Sequence, residues 1–354
     1  MTGDDRRPVL LAAPDKFRGT ATAHEVAAAI ARGAEPLGWS VQQLPLADGG
    51  EGMLDVLDVL GGERQWAEVH DPLGAPVRAE VLRVGSLAIV EMAQASGLAL
   101  VGGAEGNDPV GASSRGTGEL IVAAARLPAV TTVVVGLGGS ATTDGGAGAL
   151  AAVEAGGGID GVELIGACDV TTGFVDAAEQ FGPQKGASRE QVAWLGDRLR
   201  RLARRYEAEY GVSVDGIERS GAAGGMGGAI AVLGGRLRSG YEVVAELLGL
   251  RAALGACRMV VTGEGALDAS SLTGKVVGSV LGDAAGLPVP VPVLVVAGRT
   301  TPEARDAAAV LGAAVVSLSE QFGGDRSVGD TSGCIEEAVG AYLDSPGAPV
   351  AASR

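Results

Sequence analysis

One pattern stands twice in this sequence: Asp48-Gly49-Gly50-Glu51-Gly52 and Asp144-Gly145-Gly146-Ala147-Gly148. In each copy an apolar run leads into the aspartate, and a helix-forming stretch follows the glycines. That order puts a carboxylate at the carboxyl end of a strand beside a helix start, where open α/β sheets bind ligands. Glycines let backbone N–H groups approach an anion, and the helix start adds about half a positive charge. The aspartate cannot hold phosphate itself, but it can hold Mg²⁺ or accept a hydroxyl proton. An aspartate capping its own helix accounts equally well for one copy. The recurrence favours chemistry and marks Asp48 and Asp144 as candidate metal ligands or bases.

Ahead of the second copy runs Gly136-Leu137-Gly138-Gly139-Ser140-Ala141-Thr142-Thr143. Successive amides in such a turn can cradle phosphate oxygens, which makes Gly138, Gly139 and Ser140 candidate nucleotide contacts. The run is not a Walker A sequence, and the G-x-G-x-x-A at Gly146, Gly148 and Ala151 is a weak dinucleotide signal. Gly221 to Gly228 is a third glycine-rich helix entry, suited equally to close packing or to a ligand. Thr262-Gly263-Glu264-Gly265-Ala266-Leu267-Asp268 continues to Thr273-Gly274-Lys275. Gly263, Glu264, Asp268 and Lys275 there supply the parts of phosphoryl transfer, acidic groups for a metal and a cation for the moving phosphate. Ser114 and Arg115, in a hydroxyl-rich segment ahead of a helix, suit bidentate recognition of a substrate carboxylate.

Lysine usage points the same way. Only Lys16, Lys185 and Lys275 occur among 27 basic residues, and each lies in a glycine-bearing segment. Where arginine serves nearly every surface position, a retained lysine suggests a need for a compact ammonium. His24 and His70 are the only histidines, and Cys168, Cys257 and Cys334 lie far apart, so neither a histidine–zinc centre nor a disulfide framework is expected. The arginines from Asp197 to Tyr206 read as a solvated helix face, with Glu207 and Glu209 following.

These residues need a frame to hold them. At 354 residues the chain has room for two domains, and 47% hydrophobic residues allow a sizeable core. A net charge of −16 works against a grip on nucleic-acid phosphates, so no nucleic-acid partner is expected. No apolar run approaches a membrane span and the polar start lacks a signal-peptide core, so a cytoplasmic protein without a membrane partner is expected. A homodimer stays open. Strand Val9–Ala13, helix from Thr22, strand Val41–Leu46 and helix Met53–Leu60 open as β-α-β-α. From Trp66 to Glu91 the pattern changes to short alternating strands about an Asp71–Gly74 turn. Helix 119–125, strand 132–136, helix 147–154 and a polar helix 190–210 follow.

From Arg258 the opening pattern returns: strand 259–262, a glycine turn, helix 272–285, strand 291–297, helix 302–311 and strand 314–318. The expected fold class is α/β: a discontinuous Rossmann-like parallel-sheet domain (1–65 plus 255–345), with a second α/β domain (66–254) inserted and a cleft between them. Residues 346–354 read as a frayed tail.

Taken together, A-P-D-K-F-R-G-T, P-L-A-D-G-G-E-G, V-E-M-A-Q-A-S-G-L, S-R-G-T-G-E-L-I, G-L-G-G-S-A-T-T-D-G-G-A-G, A-C-D-V, F-G-P-Q-K-G-A, G-A-A-G-G-M-G-G-A and V-T-G-E-G-A-L-D resemble, in order, the type 1 glycerate kinases. The resemblance covers about residues 8 to 320. It implies a two-domain enzyme that moves the ATP γ-phosphoryl group to a glycerate hydroxyl with Mg²⁺, in most members at the 2-position. It places Asp169, in A-C-D-V, in the active cleft as general base, with Asp48 or Asp144 sharing the metal or base role. Lys275 and Lys16 would neutralise phosphate charge, while Ser114, Arg115 and Lys185 would contact glycerate.

The chain departs from the family in places. It is shorter between Gly156 and Gly166, Thr171-Thr172-Gly173-Phe174 replaces the usual N-P-L run, and Met53, Ser270 and Val277 stand where other residues are usual. A related small sugar acid, or the 3-position of glycerate, stays open as the acceptor. A dinucleotide-dependent oxidoreductase lacks G-x-G-x-x-G after the first strand. A phosphometabolite-binding protein would explain the glycines but not the repeated carboxylates.

Overall fold

A computed structural model describes residues 7–346; the polar start before Arg7 and all but the first residue of the expected tail lie outside the described residues. The chain forms two compact units, Met1–Asp48 with Val244–Arg354, and Gly49–Val243.

The first unit holds a five-stranded sheet built from β1 (Val9–Ala12), β2 (Ser40–Gln43), β9 (Met259–Leu267), β10 (Val293–Thr300) and β11 (Ala313–Ser317). Its order is β11-β10-β9-β1-β2, and every pairing is parallel. β1 reads Val-Leu-Leu-Ala because both its faces are covered, whereas the edge strand β2 is polar and largely exposed. Helix Ala23–Ala34 starts on a capping box: the Glu25 N–H donates to the Thr22 hydroxyl at 3.2 Å, and the Thr22 N–H donates to the Glu25 carboxylate at 2.8 Å. Its Val26, Ala29 and Ile30 enter a core shared with Leu10, Met259, Val296, Ile335 and Val339. Ile335 and Val339 belong to helix Thr331–Leu343, which the sequence reading did not single out.

The second unit holds a six-stranded sheet of β3 (Glu63–His70), β4 (Pro76–Val84), β5 (Leu87–Glu91), β6 (Thr132–Gly136), β7 (Glu163–Ala167) and β8 (Arg236–Arg238), in that spatial order. β3 and β4 pair antiparallel about the expected turn, where the Leu73 and Ala75 N–H groups donate to the Asp71 carboxylate, and β5 pairs antiparallel with β4. β5 to β8 pair parallel, so the carboxyl ends of four strands share one edge. A satellite core forms where Phe174, fully buried, meets Tyr206 edge-on at 5.9 Å between ring centroids. Phe174 is part of the run that departs from the family, and it is spent on packing.

Two expectations are corrected. The first unit ends at Asp48 and resumes at Val244, so the expected boundaries at 65/66 and 254/255 move. Residues 49–60 join the second unit because Gly49 packs on Ala167 and Gly240, and the Leu54 N–H donates to the buried Glu91 carboxylate at 2.9 Å. Helix Met53–Leu57 therefore starts on a side chain from the end of β5. Likewise the expected turn after Thr262 and helix from Leu272 give way to a longer β9. Val296 and Ala297 of β10 continue the pairing along Gly263 and Glu264. A short 3₁₀ turn, Ala269–Leu272, and a left-handed Gly274 then precede helix Val276–Ala285. No helix among the described residues is long and apolar enough to cross a membrane.

Candidate active site

In the first unit the parallel pairing outlasts β1. The Ala13 N–H donates to the Val261 carbonyl and the Asp15 N–H to the Gly263 carbonyl, both at 2.9 Å, which carries the chain straight to Asp15 beside β9. Burial, then the charge of Asp48, pushes the Asp15 carboxyl up to about 7. Glu264 adds to that rise, while the Lys16 N–H on Asp15 Oδ1 at 2.7 Å opposes it. Glu264 is also raised, chiefly by burial, and its Oε1 is buried with no hydrogen-bond partner. Asp15 and Asp48, past the ends of β1 and β2, thus act on one another and on Glu264 within β9. The sequence reading named Asp48 and Glu264 and missed Asp15. Its signal was present: Asp15 follows the first apolar strand as Asp48 follows the second.

The cation and the fourth acid of this unit are more exposed. Lys275 is the residue before helix Val276–Ala285, and its Nζ donates to the Ser270 hydroxyl at 2.8 Å. Asp268 caps the 3₁₀ turn, accepting from the Ser270 N–H, the Ser270 hydroxyl and the Ser271 N–H. Those bonds, the Ser270 hydroxyl first, hold its carboxyl below the ordinary range. Asp268, expected at the nucleotide, shapes the turn carrying Ser270. At Gly263, also expected at the nucleotide, a β-carbon would lie 2.1 Å from the Val296 carbonyl oxygen, so the strand pairing demands glycine.

In the second unit the loop after β6 has a marked polarity. Its carbonyls are engaged: the Leu98 N–H donates to Gly139 O at 2.8 Å, Asn107 Nδ2 to Ala141 O at 3.1 Å, and Lys185 Nζ to Thr142 O at 2.6 Å. Among the described residues the N–H groups of Gly138, Gly139 and Ser140 donate to no protein acceptor. Gly138 is half-buried and Gly139 exposed, with a left-handed φ of +66°. A β-carbon on Gly138 would lie 2.4 Å from Gly50 Cα, so the two glycine segments meet backbone to backbone. Amides without protein acceptors beside hydrogen-bonded carbonyls are what an anion nest requires.

The polar side chains around this loop hold it from inside. Asp144 is 2% exposed, and both its oxygens are occupied. Oδ1 accepts from the Gly146 N–H, and Oδ2 accepts from the Gly148 N–H, the Ser114 N–H and the Ser114 hydroxyl. Ser114, itself buried, also accepts from the Ala149 N–H at 3.0 Å. Lys185 is 3% exposed and donates to the Ser140 hydroxyl at 2.9 Å. Burial pushes its ammonium down to about 7, with Asp144 opposing. Asp144, Ser114 and Lys185, expected at the metal or base and glycerate positions, are here buried and hydrogen-bonded within the loop's own scaffold. Arg115 is exposed and paired with Glu119 at 2.8 Å.

Asp169 stands past the end of β7. Its Oδ1 accepts from the Ser239 hydroxyl at 2.8 Å, the Gly240 N–H at 2.7 Å and the Tyr241 N–H at 3.3 Å, which caps helix Gly240–Leu247.

Fit to a divalent cation rests on the first unit. The unpartnered Oε1 of Glu264 and the mutual repulsion of Asp15, Asp48 and Glu264 are features a cation would relieve. No three acidic, histidine or cysteine side chains among the described residues converge as a cage. Mg²⁺ suits that, since it is commonly held by one or two carboxylates together with substrate phosphates.

Comparison with known proteins bears on both units. The model of the glycerate kinase family matches residues 10–157 and 154–339. The two stretches overlap at residues 154–157, at the end of helix Ala147–Ala155. Glycerate 2-kinase of Escherichia coli K12 is 39% identical over 304 residues, covering 75% of this chain and 79% of that protein. Glycerate kinase of Halalkalibacterium halodurans is 37% identical over 303 residues, covering 75% of this chain and 79% of that protein. The crystal structure of a protein assigned as glycerate kinase 2 from Salmonella typhimurium LT2 superposes with a TM-score of 0.76 at 31% identity, covering 95% of this chain and 97% of that one. On a family match through both units and relatives aligned over three quarters of its length, the chain belongs to the glycerate kinase family.

Proposed function

We propose that this protein transfers the γ-phosphoryl group of ATP to the 2-hydroxyl of glycerate, giving 2-phosphoglycerate. The observation that carries the reading is the loop after β6, where the Gly138, Gly139 and Ser140 amides are free of protein acceptors while the neighbouring carbonyls are tied down. Such amides stabilise the oxygens of a transferring phosphoryl group without reorganising as charge develops. Lys275 and Lys16, in the first unit, are the candidate cations for phosphate charge. Arg115, whose guanidinium is exposed beside Glu119, remains the candidate for the glycerate carboxylate.

Asp15 is the proposed general base. A carboxyl pushed up to about 7 both accepts a proton at neutral pH and returns it readily. Asp48 and Glu264 are the residues that would hold Mg²⁺, whose contribution when bound is to neutralise phosphate charge. The relative named glycerate 2-kinase supports the 2-position, and the 3-position or a related sugar acid is the competing outcome.

The test is ADP release with ATP, Mg²⁺ and a panel of three- to six-carbon hydroxy acids, the product position being read by phosphorus NMR. Glycerate-dependent ADP release with phosphate on carbon 2 is expected. Release with another acid only, or with phosphate on carbon 3, would replace this reading.

A further inference from the structure

Lys185 is the one buried lysine, and it makes its two hydrogen bonds to a single loop. It comes from the short 3₁₀ turn Pro183–Lys185, far from that loop in sequence. Its Nζ reaches the Ser140 hydroxyl at 2.9 Å and the Thr142 carbonyl at 2.6 Å. Its own carbonyl accepts from Asn107 Nδ2 at 2.9 Å, and the same amide group donates to Ala141 O at 3.1 Å. Turn and loop are thus cross-linked at three successive loop residues, Ser140, Ala141 and Thr142. A buried ammonium is costly to keep, and a methionine would fill the space without that cost. Two inward-facing acceptors on the loop explain a lysine here. With those acceptors engaged inside, the Gly138–Ser140 amides are left without protein partners.

We propose that Lys185 is a positioning residue for phosphoryl transfer: by holding the Ser140 hydroxyl and the Thr142 carbonyl inward, it presents the Gly138–Ser140 amides to the phosphate of the nucleotide. This rests on the reading that the loop binds ATP phosphate. Lys185 touches no reacting atom, so its loss misplaces the amides without removing them. A misplacement of the order of 1 Å costs roughly 10²-fold in rate.

The test compares Lys185→Met, which keeps length and loses the donor, with Ser140→Ala, which removes one of the two acceptors. The full chain is studied by steady-state kinetics and by hydrogen exchange of peptides spanning 138–143 and 132–136. For Lys185→Met the expected result is a fall in kcat/KM for ATP of about 10²-fold, with KM for glycerate unchanged. Exchange should become faster in 138–143 and stay the same in 132–136. Ser140→Ala should show the same pattern more weakly, and it decides the matter if Lys185→Met does not fold. Wild-type kinetics with unchanged exchange in 138–143 would overturn the proposal. So would a uniform rise in exchange across both peptides, since that is general destabilisation. A wild-type protein that failed to phosphorylate glycerate would count against the proposed function alone, because the exchange comparison needs no turnover.

Discussion

One carboxylate oxygen of Asp144, Oδ2, accepts both the main-chain N–H and the hydroxyl of Ser114, at 2.9 and 2.8 Å. The contact ties the start of helix Arg115–Ala125 to the start of helix Ala147–Ala155 inside the second unit. Asp144→Asn puts an amide group where only donors converge. A loss of about 2–4 kcal/mol in unfolding free energy is expected, measured by urea titration. Below the unfolding transition KM for glycerate should change little. A variant as stable as wild type with kcat abolished would return Asp144 to the chemistry.

Asp15→Asn should lower kcat by roughly 10²–10⁴-fold, the usual range for losing a general base. The wild-type rate should fall as pH drops through about 7, where Asp15 takes up its proton, and this limb should vanish in the variant. Stability moves the other way. The folded value lies above the ordinary aspartate value of 3.8, so the folded state holds the proton more tightly and stability declines as pH rises from about 4 to about 7. At pH 8 the asparagine variant should therefore be at least as stable as wild type by thermal melting. An unaltered pH–rate profile in the variant would sink the assignment.

Asp169 competes for the same role, and a pair of substitutions separates cap from base. Asparagine retains a side-chain oxygen that can accept from Ser239 and Gly240, so Asp169→Asn should keep near wild-type kcat. Asp169→Ala, which removes the acceptor of the Gly240 and Tyr241 N–H groups while the Ser239 hydroxyl still accepts from the Glu242 N–H, should cost about 1 kcal/mol in stability. A sharp drop in kcat for the asparagine variant with the fold intact would move the base from Asp15 to Asp169.

Gly138→Ala sets a β-carbon 2.4 Å from Gly50 Cα, and neither backbone has a flexible end that can yield. The loop must move, so kcat/KM for ATP should fall by about 10²-fold or more. Gly61→Ala meets no neighbour but occupies a left-handed φ of +71°; it should cost stability, about 1 kcal/mol, and leave the kinetics alone. Equal kinetic effects from the two would remove the special meaning of Gly138.

Much of the parallel framework was legible because strands covered on both faces read as unbroken apolar runs, as in Val9–Ala12 and Thr132–Gly136. β8 was not, since Arg236–Arg238 is three residues long and two are charged. β9 was read short because its glycines mimic a turn, while the pairing that keeps Gly263 extended comes from β10. At the site the residue types were legible and their surroundings were not. Lys185, Asp144 and Ser114 look like surface ligands by chemistry, yet all three are buried by segments distant in sequence. Asp15 shows the reverse: its character arises from burial first and then from the charge of Asp48, which only the folded chain brings about.

The connection from Ala155 to Glu163 enters the amino end of β7, whereas the Gly138–Ser140 loop and Asp169 leave the carboxyl ends of β6 and β7. The length of β7 separates that connection from the Gly138–Ser140 loop and Asp169. The same separation makes Gly157-Gly158, both left-handed, a suitable point for new chain termini or for grafting a reporter domain that would leave turnover intact.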